Sequence, residues 1–112
     1  MNHSRWKTLR ERRLAEGFTE PVDVAEARNE IRLSMALAQA VHERRTELGL
    51  TQSELAERSG LTQAKISRIE GSDTVPTLPL LAKLAKAMDA SLDIALDDDI
   101  RVTFTAHHSD VA

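Results

Sequence analysis

Residues 49–71 read GLTQSELAERSGLTQAKISRIEG, and this stretch spells out two helix starts with a turn between them. The Thr51 hydroxyl can accept from the Glu54 N–H while the Glu54 carboxylate reaches back, so Thr51-Gln52-Ser53-Glu54 predicts a capping box and a helix from Gln52. Leu55 and Ala56 give this helix an apolar side, and Glu57 and Arg58 a wet one. Ser59-Gly60 ends it, because glycine enters the left-handed region without a Cβ clash. Thr62 then caps a second helix. At about 100° per residue, Ile66 and Ile69 fall on one side of it and Gln63, Ala64, Ser67 and Arg68 on the other.

The isoleucines belong inside. What faces outward is an amide, a methyl, a hydroxyl and a guanidinium, groups that can meet base edges in a major groove: Gln to adenine, Arg to guanine, a methyl to thymine. Lys65 stands at the flank, where phosphate is the better partner. A helix pair about a glycine can equally be an αα-hairpin in a bundle. The repeated Thr-Gln separates the two readings in favour of DNA.

From Arg45 to Glu70 the chain carries R-x-x-L-G-L-T-Q-x-E-L-A-x-x-x-G-L-T-Q-x-x-I-S-R-I-E, and residues 45–90 resemble the Cro/CI-type (Xre) helix-turn-helix family of phage repressors and bacterial regulators. The resemblance implies a mainly α, lambda-repressor-like helical bundle. It implies that Gln52 anchors a phosphate, that Gln63, Ala64, Ser67 and Arg68 face bases, and that Arg45 and Glu70 form a pair tying the first helix of the domain to the third. The expected DNA-binding set is therefore Thr51, Gln52, Thr62, Gln63, Ala64, Lys65, Ser67 and Arg68. One departure concerns the exit from the second helix: the family's glycine two places after the glutamate is Ser72 here, with Gly71 one place earlier.

Flanking segments extend the helical pattern. Asp23 and Glu26 form a second cap-like pair after Pro21, and Ile31, Met35, Ala38, Val41, Arg45 and Leu48 recur at three- and four-residue spacing, predicting a long helix from about Val24 to Leu48. Thr77-Leu78-Pro79 starts another, with Leu80, Leu81, Leu84, Ala85 and Met88 as its apolar stripe. The period then changes. Leu92, Ile94 and Leu96 alternate with Asp93, Ala95 and Asp97, and Ile100, Val102 and Phe104 with Arg101, Thr103 and Thr105, which predicts a C-terminal β-hairpin turning at Asp97-Asp98-Asp99. The expected organisation is a basic N-terminal helical segment over residues 1–22, a helix-turn-helix domain over 23–90, the hairpin over 91–106 and a disordered tail over 107–112.

A chain of 112 residues supports one modest core. It contains no cysteine, which removes disulfides and thiolate metal sites, and it shows neither a signal peptide nor a long apolar run, so no membrane partner and a cytoplasmic protein are expected. The net charge of −3 sits oddly with phosphate binding. The charge is segregated, however: Arg5, Lys7, Arg10, Arg12 and Arg13 crowd the start, and Asp89, Asp93, Asp97, Asp98 and Asp99 the end. Ser4 can cap a helix holding Trp6, Leu9 and Leu14 and ended by Gly17; such a basic segment suits DNA phosphates, an acidic partner or the protein's own core.

An enzyme is not expected. His107-His108 and Asp110 lack a third ligand at defined spacing, and no phosphate loop or nucleophile-base pair stands out, so no cofactor or metal is predicted. A hairpin alone is marginal in water, and sheet extension across a two-fold axis would set two recognition helices about 34 Å apart, which predicts a homodimer on a palindromic double-stranded operator. In size and layout, with A-R-x-E-I-x-L-x-x-A-L over residues 27–37, the chain also resembles, more weakly, HigA-like antitoxins of type II toxin-antitoxin pairs. That likeness implies a small basic RelE-like toxin as partner and repression of the protein's own operon. The expected function is therefore a sequence-specific DNA-binding repressor that serves as the antitoxin of such a pair, and a stand-alone Xre-type regulator without a toxin is the alternative.

Overall fold

The computed structural model describes residues 22–107. The helix expected around Trp6, the remaining basic residues of the first segment, and all but His107 of the tail expected to be disordered, His108 and Asp110 included, lie outside the described residues. Contacts divide the chain into two compact units at Glu30/Ile31. The elements run α1 (Val22–Glu47), α2 (Gln52–Ser59), α3 (Gln63–Glu70), α4 (Leu78–Ala87), β1 (Ala90–Leu96) and β2 (Ile100–Ala106).

Caps explain most of these boundaries. Thr51, Thr62 and Thr77 each sit in extended backbone and accept from the N–H three residues on, so the three short helices begin in the same way. Pro79 stands in the first turn of α4, where its missing N–H costs nothing. The start of α1 differs from the sequence expectation. It lies at Val22, so Asp23 is a first-turn acid interacting with the helix dipole rather than the cap.

The core of the unit from Ile31 onward is one cluster: Leu37 and Val41 of α1, Leu55 and Ala56 of α2, Ile66 and Ile69 of α3, Leu81, Leu84 and Met88 at α4. Burying an aliphatic side chain of this size contributes roughly 1.5–3 kcal/mol, and each helix supplies at least two members. The spacing read on α1 is that of the observed helix, but only part of it, Ala38 and Val41, is buried. Ile31 and Met35 are 59% and 56% exposed and Leu48 is exposed too, while Ser34, Leu37, Ala38, Ala40 and Val41 are buried. A three-and-four spacing fits more than one face of a long helix, and the face that is buried is the one carrying Leu37 and Val41 into the cluster. The buried Ser34 hydroxyl is satisfied locally, donating to the Ile31 carbonyl at 3.0 Å.

The hairpin is antiparallel, with Leu92 opposite Phe104, Ile94 opposite Val102, Leu96 opposite Ile100 and Asp93 opposite Thr103. Its apolar side rests half-buried on the helical core through Leu92, Ile94, Val102 and Phe104. Arg44 joins helix to hairpin: its guanidinium donates to the Met88 carbonyl at 3.1 and 2.8 Å and to that of Asp89 at 3.3 Å, satisfying carbonyls left open where α4 ends.

Candidate nucleic-acid interface

The site is the pair α2 and α3 with the turn between them. At α2 the capping box is complete: the Glu54 N–H donates to the Thr51 hydroxyl at 3.0 Å and the Thr51 N–H to the Glu54 carboxylate at 2.8 Å. The Thr51 N–H, and then its hydroxyl, hold the Glu54 carboxyl below its ordinary range. Gly60 closes the helix at φ 74°, and its N–H returns to the Ala56 carbonyl. The chain therefore reverses within Gly60-Leu61-Thr62, and α3 starts at once.

On α3, Ile66 and Ile69 are buried at 0% and 1% exposure. Gln63, Ala64, Lys65, Ser67 and Arg68 are all exposed, as are the caps Thr51 and Thr62. Seven of the expected eight are thus exposed, at the starts of α2 and α3 and along α3, and Gln52 is half-buried. Gln52 is the hinge of a polar chain. The Gln63 Nε2 donates to Gln52 Oε1 at 2.8 Å, and Gln52 Nε2 donates to Glu70 Oε1 at 3.3 Å. The amide of Gln63 is thereby aimed by α2 rather than left to rotate. Beside α3, Lys65, Arg68, Asp73, Thr74 and Thr77 line a shallow cleft of about 300 Å³.

Glu70 anchors this chain from inside. Its carboxylate takes Arg45 Nε at 2.7 Å and Arg45 Nη2 at 2.9 Å, a two-point bridge between side chains only 6% and 12% exposed. Arg45 also donates to the Leu50 carbonyl at 2.7 Å, so one guanidinium fastens α1, the α1–α2 turn and the end of α3. Burial pushes the Glu70 carboxyl upward, but the hydrogen bonds from Arg45, His42 and Gln52 outweigh it and hold the group below the ordinary carboxylate range. One participant and one contact escaped the sequence reading. His42 brings Nδ1 to 3.0 Å from Glu70, and the direct link from Gln52 to Gln63 could have been suspected from their matching positions after the two threonine caps.

Leaving α3, Gly71 sits at φ −85° and Ser72 at φ 62°. The left-handed residue is the serine. Gly71 is tight instead: a Cβ there would lie 3.2 Å from the Ser67 carbonyl oxygen, so one of the two would have to give by a few tenths of an ångström.

Two eight-residue helices meeting at a left-handed glycine, with the second turned outward, define a helix-turn-helix. The Helix-turn-helix family model (HTH_3) matches residues 41–94, and the chain belongs to this family of transcriptional regulators, whose fold is that of non-enzymatic DNA-binding proteins. It is 46% identical over 48 residues to an uncharacterized HTH-type transcriptional regulator of Methanothermobacter thermautotrophicus, covering 43% of this chain and 70% of that protein. Against Repressor protein C2 of Salmonella phage P22 the identity is 33% over 73 residues, 65% of this chain and 34% of the repressor. Among solved structures, an HTH_3 family transcriptional regulator from Vibrio cholerae aligns with TM-score 0.54 at 26% identity, over 55% of this chain and 35% of that one. The clp gene regulator ClgR from C. glutamicum aligns with TM-score 0.51 at 34% identity, over 53% and 76%. The chain therefore spans about a third of the phage repressor and of the Vibrio regulator.

Among the described residues no helix is long and apolar enough to cross a membrane, and no cluster of His, Cys, Asp or Glu could hold a metal. His107 instead meets Asp89 at 3.1 Å and Ser91 at 3.2 Å.

Proposed function

We propose that the protein is a sequence-specific transcriptional repressor of the cytoplasm that reads a palindromic operator as a homodimer, with α3 in the major groove. One observation carries this reading: Gln63, Ala64, Lys65, Ser67 and Arg68 are exposed together on α3 while Ile66 and Ile69 hold its other side in the core. Arg68 has the reach and the planar fork to meet guanine, and Gln63, steadied by Gln52, to meet adenine. Gln52, Thr51 and Thr62 lie at the helix starts and Lys65 at the flank, where backbone phosphates pass.

The RelE-like toxin implied by the likeness to HigA-type antitoxins is the weaker reading. The relatives found carry the names regulator and repressor, which favours control of transcription as the main task. Recovery of the full chain from its own cells bound stoichiometrically to a small basic protein would reverse this preference.

Selection of duplexes from a random pool supplies the test probe. On the selected duplex, Arg68→Ala is expected to lose about 1–3 kcal/mol of discrimination at one or two base pairs, whereas Lys65→Ala weakens all sequences alike and flattens the salt dependence by about one ion. Equal loss on selected and random DNA in the Arg68→Ala protein would rule out base reading by that residue.

A further inference from the structure

Resting on the dimeric reading above, we propose that the outer edge of β2 is the dimer interface: it pairs antiparallel with β2 of a second copy, Thr103 facing its own counterpart across the two-fold axis. Among the described residues the sheet has two strands, so β2 has a hydrogen-bonding edge with no strand on it. Which groups point along that edge follows from the ladder. The His107 N–H donates to the carbonyl of Asp89, its opposite residue, at 3.1 Å. Hydrogen-bonded and non-hydrogen-bonded pairs alternate in an antiparallel ladder, so Asp93 with Thr103 is a hydrogen-bonded pair, and the backbone groups of Val102 and Phe104 point away from β1.

The edge is suited to its own copy. Exposed edge strands are ordinarily blunted by proline, lysine, bulges or inward charges. Over IRVTFTA there is no proline or lysine, and Arg101 is the one charge. Pairing about Thr103, the midpoint of Ile100–Ala106, sets Val102 against Phe104 of the copy in the positions where both backbones offer free groups, on the same side as Leu92 and Ile94. Aromatic against β-branched is a favourable cross-strand pair. Arg101 meets Thr105, so no like charges oppose. The other strand behaves differently: β1 packs against α4 and carries Asp93 at its midpoint, so the equivalent pairing would oppose two carboxylates. A four-stranded sheet also extends the half-buried apolar side that a lone hairpin leaves incomplete.

The chain's lack of cysteine makes a one-thiol test clean. In the full-length protein Thr103→Cys is expected to oxidise to a covalent dimer of twice 12.4 kDa, because a non-hydrogen-bonded pair brings its Cα atoms to about 4.5 Å. Arg101→Cys, whose thiols would stand about 13 Å apart along the paired strands, should stay monomeric on the same gel. Thr103→Lys faces Asp93 within its own hairpin but a second ammonium across the axis, and should raise the dimer dissociation constant about fivefold or more in sedimentation, with the circular dichroism spectrum unchanged. A protein that sediments as a dimer yet cross-links no better at 103 than at 101 overturns this interface and leaves the dimeric reading standing. A species of 12.4 kDa at all concentrations, with and without the selected duplex, overturns both.

Discussion

The two helices of the motif are the same length and begin on the same residue type, yet they are built to different standards. At α2 both ends follow local rules, with a reciprocal capping box at Thr51 and Glu54 and a left-handed glycine at Gly60. At α3 neither end does. Lys65 occupies the place of the reciprocal glutamate, so the cap is half made, and Ser72 takes the left-handed conformation that glycine would adopt more cheaply. The supporting helix is optimised for folding and the exposed helix is not. An acid at position 65 would complete the cap, but it would also put a negative charge on the surface proposed to meet phosphate.

Breaking the tie between the helices should have the largest effect. Glu70→Ala leaves the Arg45 guanidinium almost buried without its carboxylate and frees Gln52, so unfolding stability should fall by about 3–5 kcal/mol in a denaturant titration. The same pair predicts a pH response. Because the folded-state pKa of Glu70 is depressed, its contribution is present above the ordinary carboxylate value and is lost as pH falls through the folded value. The acid-side slope of stability against pH should therefore flatten in Glu70→Gln. A slope equal to that of the parent chain would show that this carboxylate is not the group titrating.

The glycine and serine exits give opposite signs. A Cβ at Gly60 meets nothing within 4 Å, so Gly60→Ala isolates backbone strain and should cost about 1–2 kcal/mol. Ser72→Gly relieves strain of the same kind but adds freedom to the unfolded chain, giving a net gain of about 0.5–1 kcal/mol by thermal or chemical melting. If both substitutions destabilise, the contrast between the exits is wrong. Smallest on stability is Lys65→Glu, which should gain about 0.5 kcal/mol by completing the capping box while weakening binding to every duplex tested. A variant that gains stability without losing affinity would remove position 65 from the interface.

Most of the motif was legible because its signals are local. A threonine cap, an N3 glutamate and a glycine act within a few residues of each other, so Thr51 to Glu54, Gly60 and Thr62 could be placed without knowing what packs where. The hairpin was legible for the same reason, period-2 alternation on both sides of three aspartates. The repeat on α1 announced the long helix but not all of its buried side: Ala38 and Val41 of that spacing face the core with Leu37 and Ala40, while Ile31, Met35 and Leu48 lie exposed. Periodicity shows that a helix has faces, and the tertiary fold chooses between them.

Sequence alone determined where α2, α3 and α4 start, which residues of α3 share a side, and hence the helix-turn-helix itself, because capping and helical geometry are properties of neighbouring residues. Tertiary structure decided what ties those pieces together. His42 and Arg45 on α1, Glu70 on α3 and Gln52 on α2 converge on one carboxylate across separations of up to 28 residues, and Gln63 takes its aim from that convergence. The exit from α3 was settled there too, with the left-handed conformation at Ser72 rather than at Gly71.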